Sequence, residues 1–279
     1  MTIALRAGIR RGLTEFGISL RTPADVLFIV FGLVIVGVVL WLNRDAEAAP
    51  GAPLAWFILP SILTIQLLFV TAYGLATVIV TEREDGTLLR ARSLPTGLPV
   101  YSVGVTARTL AELVCTFVPT LAIAAAVLGG ALGLDALGLA TVLAMLVLGT
   151  VALLPFGFVI GTVFRNPRSV GGWGFLAVGA VAFASGLIQP LATLPAWVQP
   201  IGLALPLFWI GHVLRGAFLP AELGTLEFGG GWHFGLAFAI VAAWAIVGLV
   251  LAPHLLRRIA RRETASAIEL RRQAALQRI

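Results

Sequence analysis

The chain has 279 residues, 59% of them apolar and 11% charged, with a mean hydropathy of +1.01. A soluble globular domain carries about 25% charge, so this composition excludes that class and is that of a polytopic membrane protein. The net charge of +6 rests on 19 basic residues that are all arginine, so the lysine-containing phosphate loop G-x-x-x-x-G-K-[ST] is absent and the chain is not a P-loop ATPase. Those arginines bracket apolar segments, as orientation in a bilayer requires, instead of forming a nucleic-acid patch.

Residues 1–21 place Leu5, Ile9, Leu13, Phe16 and Leu20 on one helical face, with Arg6, Arg10, Arg11, Thr14, Glu15 and Arg21 mostly elsewhere. The pattern predicts an amphipathic helix on the cytoplasmic membrane surface, its apolar face in the headgroup boundary and its arginines on anionic lipid. Docking to a partner is the alternative. No cleavable-signal pattern follows, so the N-terminus is expected to stay on the mature protein. Thr22-Pro23 breaks the helix, and 26–42 reads as a first span with Trp41 at its outer interface.

A polar turn with Arg44, Asp45 and Glu47 leads to a second span, 54–80, with a kink expected at Pro60. Gln66, Tyr73 and Thr77 share a mildly polar face. Hydrogen bonding between helices explains such a face, and so does a substrate pathway completed by Phe175 and Phe183 on the fifth span.

Segment 81–101, TEREDGTLLRARSLPTGLPVY, is a long polar interruption between strongly apolar segments. It reads either as a solvated loop or as a short amphipathic helix. In the second reading Glu82, Glu84 and Asp85 open the helix at the favourable end of its dipole. Arg83, Gly86, Thr87 and Arg90 follow, with Leu88 and Leu89 as apolar anchors beside Arg92; Pro95, Gly97 and Pro99 are breakers.

Residues 110–131 form a third span, in which Glu112 is expected to snorkel or to pair with Arg108. The single cysteine, Cys115, permits no intrachain disulfide and is expected to be buried and inert. After a short turn at Asp135, the fourth span, 137–163, carries Pro155 and the pair Gly157 and Gly161, a spacing that permits close helix contact. The turn Arg165-Asn166-Pro167-Arg168 leads to a fifth span, 170–187.

Between 189 and 220, Pro190, Pro195, Pro200 and Pro206 cut the chain into apolar pieces shorter than the roughly 20 residues a crossing needs. Two re-entrant or interfacial helices packed near the outer face are predicted, marked by Pro195, Trp197, Pro206, His212 and Arg215. His212 and Arg215 would face a water-filled vestibule, or Arg215 would snorkel to the outer headgroups. The sixth span is 234–251, and 252–279 is a basic helical tail that serves as a stop-transfer anchor.

Seventeen arginines fall on one side of this topology and two, Arg44 and Arg215, on the other. Both termini and the 81–108 segment are therefore expected in the cytoplasm of a multi-pass cell-membrane protein. His212, His233 and His254 lie far apart, so no metal site is expected. A nucleophile elbow, a carboxylate pair and an ionisable group at mid-depth are all missing, which argues against an intramembrane enzyme or a proton-coupled carrier. No internal repeat stands out.

EREDGTLLRARSLP at 82–95, LPAWVQPIGLALPLFWIGHVLRGAFLP at 194–220, the surface helix and six spans together resemble the membrane subunit of ATP-binding-cassette exporters of the second permease class. That family exports drugs, antibiotics, lipids and polysaccharides, and the motifs look closer to the drug branch. The resemblance implies an all-α permease without cofactors, in which Glu82 to Arg90 and Arg92 couple to a cytoplasmic ATPase that carries ATP and magnesium. It further implies two ATPase copies and a second, identical or homologous permease. A transporter or channel not driven by ATP is the alternative.

Overall fold

A computed structural model of the chain describes residues 2–49, 52–94, 96–129, 134–164 and 167–262. Helix α1 spans Thr2–Ser19 and α2 Pro23–Leu42, and a two-stranded ladder, β1 (Glu47–Ala49) with β2 (Ala52–Pro53), follows where the sequence suggested only a turn. The second apolar segment is α3 (Leu54–Leu68), a π-helical turn at Phe69–Gly74, and α4 (Leu75–Glu84). Then come α5 (Thr87–Ser93), α6 (Gly97–Leu128) and α7 (Ala136–Val163). Next are α8 (Pro167–Ser169), a second π turn at Val170–Gly174, α9 (Phe175–Ala184), α10 (Gln199–Ala204), α11 (Pro206–Phe218) and α12 (Phe234–Arg262). The protein is an all-α polytopic membrane protein.

Among the described residues, five helical segments are long and apolar enough to cross a bilayer: Pro23–Leu42, Leu54–Glu84, Pro99–Val127, Ala136–Val163 and Phe234–Leu251. The fifth expected span, 170–187, is shorter as a helix and ends at Ala184. Gly186 stops it: its φ of 69° lets the Leu187 N–H turn back to the Ala182 carbonyl, a Schellman-type end. α6 begins well before the expected 110, because Pro99 lies in its first turn, where a missing N–H costs nothing. The tail beyond 262, with Arg271, Arg272 and Arg278, lies outside the described residues.

In lipid there is no hydrophobic force between helices, so association depends on close packing. Leu59, Leu63 and Leu67 of α3 are fully buried with Met145 and Leu153 of α7 and Ile210 and Val213 of α11 in one core. The Gly157–Gly161 pair makes the expected contact: Cβ atoms there would press on Leu75 and Ile79. α2 instead turns Leu27, Phe28, Phe31 and Val34 outward, as a lipid-facing span does. Cys115 is a free thiol and half-buried, more open than expected, because α6 shows one side outward at Val114 and Val118.

α1 does not lie on lipid alone. Its small face packs along α6, where a Cβ on Gly8 would come within 2.6 Å of Val103 and one on Gly12 would collide with the Gly104 carbonyl. Leu5, Ile9 and Leu13 stay exposed on the opposite side, consistent with an apolar face in the headgroup region. Gly12→Leu should therefore detach α1, since overpacking costs about 1–3 kcal/mol. Gly17→Leu, with open space at its Cβ, should leave it in place. Protease protection of the first twenty or so residues in membranes distinguishes the two.

Candidate functional site

The polar stretch after the second apolar segment folds as a corner between two helices. Glu82 and Glu84 are not at the start of α5; they lie in the last turn of α4, and Asp85 caps that helix. Gly86 makes the corner at φ 77°, a left-handed conformation that few residues other than glycine adopt. Asp85 alone serves α5, where its Oδ1 accepts from the Thr87 N–H at 2.9 Å.

Carboxylates at a helix C-terminus face the negative end of its dipole, so this arrangement requires cations from elsewhere. Arg11 supplies one for Glu82, while Arg83, in the same turn of α4, reaches outward. Arg11 of α1 donates through Nη2 to Glu82 Oε1 at 2.9 Å and through Nε to Glu15 Oε1 at 2.6 Å, with its guanidinium 4.9 Å from the Tyr101 ring centre. Arg83, itself buried, reaches across to the Gly161 carbonyl at 2.9 Å, near the C-terminal end of α7. The tip is thereby pinned from both sides, while Glu84, Asp85 and Arg90 remain exposed. The side chains of Leu88, Leu89 and Arg92 lie outside the described set. Arg108 pairs with Glu112 at 2.8 Å, as anticipated.

At the other end of the molecule the proline-rich stretch yields two short helices, α10 of 6 residues and α11 of 13. Every residue of α11 from Pro206 to Arg215 is buried, against α3, α7 and α12. His212 and Arg215 face no vestibule, and Arg215 does not snorkel. Both bind Glu227, in the loop before α12: Arg215 Nε and Nη2 lie 2.5 and 3.0 Å from its two oxygens, and His212 Nδ1 lies 3.0 Å from Oε2. His212 Nε2 accepts from the His233 backbone N–H at 2.9 Å, which leaves the ring proton on Nδ1 to point at Glu227. Pro195 and Trp197 sit apart from this network, exposed on the preceding loop.

The five residues expected along a pathway do not converge. Gln66 Nε2 donates to Thr120 on α6 at 2.8 Å, an interhelical bond of the kind expected for this face. Thr77 Oγ1 donates to the Tyr73 carbonyl in the π turn just before α4, at 2.9 Å. Tyr73 and Phe175 do meet, 6.1 Å apart and edge to face, with Phe69 completing a ring cluster at the π turn. Phe183 is 42% exposed, further along α9. A wholly apolar cleft of about 270 Å³ between α7, α9, α12 and the junction of α3 with the π turn at Leu68 and Ala72 is lined by none of the five.

The sequence model described as ABC-2 type transporter matches residues 10–219, from α1 through the proline-rich segment. The chain belongs to the ABC-2 type transporter family. No curated protein matches it. It is thus a permease subunit of an ABC transporter, a membrane transport component that is not itself catalytic and whose family associates with an ATP-binding subunit. Among the described residues of the permease, no group of three or more His, Cys, Asp or Glu side chains could hold a metal ion.

Sequence reasoning missed Arg11 and Glu227. A signal for the second existed: an arginine inside an apolar helix requires a carboxylate, and Glu222 and Glu227 were the nearby candidates. Burial alone would raise the Glu227 carboxyl, but the hydrogen bond from His212 and the charge of Arg215 outweigh it and hold the pKa at about 2, below the usual 4.5. The stabilisation from this group is fully present above about 4.5 and is lost as pH falls through about 2. Glu227→Gln should lower the melting temperature of the permease in detergent at neutral pH. It should also flatten the fall in stability across that acid window, which thermal unfolding at stepped pH measures.

Proposed function

We propose that this permease carries an amphipathic substrate outward across the cell membrane, driven by ATP hydrolysis on a separate cytoplasmic ATPase that docks on the α4–α5 corner. The supporting observation is the contrast at that corner: an exposed polar tip, Glu84, Asp85 and Arg90, on a backbone pinned by Arg11 and Arg83. A lever between two proteins needs a contact surface and a rigid root, and a short helix read through a few anchors provides the first. With no phosphate loop on this chain, ATP and magnesium belong to the partner. The assembly contains two ATPase copies and a second permease, identical or homologous, with both termini in the cytoplasm. Drug-type or antibiotic cargo fits the resemblance of the two motifs, and lipid or glycan cargo belongs to the same family.

Charge reversal at the tip tests the docking. In the double variant Glu84→Arg with Arg90→Glu, the ATPase should fall away on co-purification while the permease still inserts and melts normally, because surface substitutions rarely change stability by more than about 0.5 kcal/mol. Undiminished ATPase recovery would remove the reading.

Sidedness has its own measurement. Trp197→Cys, at a position 72% exposed, in a Cys115→Ala background should react with an impermeant maleimide added outside intact cells. Reaction only after the cytoplasm is opened would place the proline-rich segment on the wrong side.

A further inference from the structure

α5 joins α4 through Gly86 and seats Ala91 in a buried cluster with Leu75 and Ile79 of α4, Tyr101 and Val105 of α6 and Phe158 of α7, so a push on α5 bears on the start of α6. A second tie comes from an element outside the segment. Arg11 forks between Glu15 on its own helix and Glu82 on the last turn of α4, and α1 is seated on α6 at Gly8 and Gly12 with no room to slide. The pair is sheltered, with the side chains of Arg11 and Glu82 only 24% and 13% exposed, so salt screens it less than a surface pair. Tyr101, fully buried beneath the guanidinium, belongs to the first turns of α6. Three elements therefore meet at one cation: α1, the end of α4 and the start of α6.

We propose that Arg11 is a positioning residue for energy coupling: through its pair with Glu82 it makes α1 and the cytoplasmic half of α6 move with the α4–α5 corner. This rests on the docking reading above. The load path runs from the tip to Glu82, across the ion pair to α1, and through the glycine contacts to α6. A merely structural Arg11 would hold the fold together, and its loss would appear in stability. A positioning Arg11 appears in how far the spans respond when the ATPase is trapped with nucleotide.

The experiment uses the permease co-purified with its ATPase and reconstituted in lipid vesicles, with MgATP and vanadate as the probe. Spin labels at Val114→Cys on α6 and Leu249→Cys on α12, both exposed, report the span movement in a Cys115→Ala background. Arg11→Ala should keep the ATPase bound but cut the vanadate-induced distance change to less than about a third, as expected when a coupling contact is removed without a binding one. Glu15→Gln, which spares the Glu82 arm, should respond as the unaltered complex does. A full distance change in Arg11→Ala overturns the proposal.

If Arg11→Ala does not fold, Arg11→Gln decides. Glutamine fills the site without the charge for Glu82, so a folded Gln variant should lose most of the movement, and a folded Gln variant with the full distance change overturns the proposal. The Glu84 and Arg90 charge reversal separates the two readings. If it leaves ATPase recovery intact, the docking reading fails; if it removes the ATPase while Arg11→Ala moves normally, only the role of Arg11 fails.

Discussion

A carboxylate in the last turn of a helix sits in an unfavourable field, and Glu82 is held there by a cation from another helix. The dipole at a C-terminus disfavours a negative group by about 0.3–1 kcal/mol, and Arg11 opposes that contribution at 2.9 Å. Much of the architecture at this end of the molecule depends on this pair. α1 must lie close enough to deliver Arg11, which requires the glycine face at Gly8 and Gly12. α6 must begin early enough, at Gly97, to bring Tyr101 under the guanidinium. Arg83 performs the matching service on the other side, where its charge meets carbonyls near the C-terminal end of α7 and thus the favourable end of that dipole.

The same logic governs the far end of the molecule with the roles exchanged. α11 is buried from Pro206 to Arg215, so Arg215 needs a counter-ion within the protein. Glu227 supplies it, and His212 occupies the remaining acceptor site while receiving the His233 N–H. Every ring nitrogen of His212 is thus used. This network ties α11 to the loop before α12, and an ion pair of this kind, once buried, is costly to break from one side only.

Apolar length was the most legible property of the sequence. The ends of α2 and α7 fall close to the expected 26–42 and 137–163, because runs of that length and composition have one solution in a bilayer. Breakers were less legible. Pro99 was expected to close a loop and instead sits in the first turn of α6; the acidic run 82–85 was expected to open a helix and instead closes one, because Gly86 places the corner after it. The ladder at Glu47–Pro53 had no alternating pattern to announce it. Arg11 and Glu82 are 71 positions apart, and Arg215 and Glu227 twelve with a loop between them. Neither spacing carries periodicity, so these pairings emerge only when helices are packed.

The docking of an ATPase on the α4–α5 corner of this permease is open to direct capture. A photo-crosslinking amino acid placed at Arg90, in membranes of cells that make the protein, tests it most directly, with the adduct identified by mass spectrometry. The account predicts a covalent adduct with a protein that contains a lysine-bearing phosphate loop, lost when Glu84 is reversed in charge. Adducts with lipid or with this chain alone, from a properly inserted permease, would contradict it.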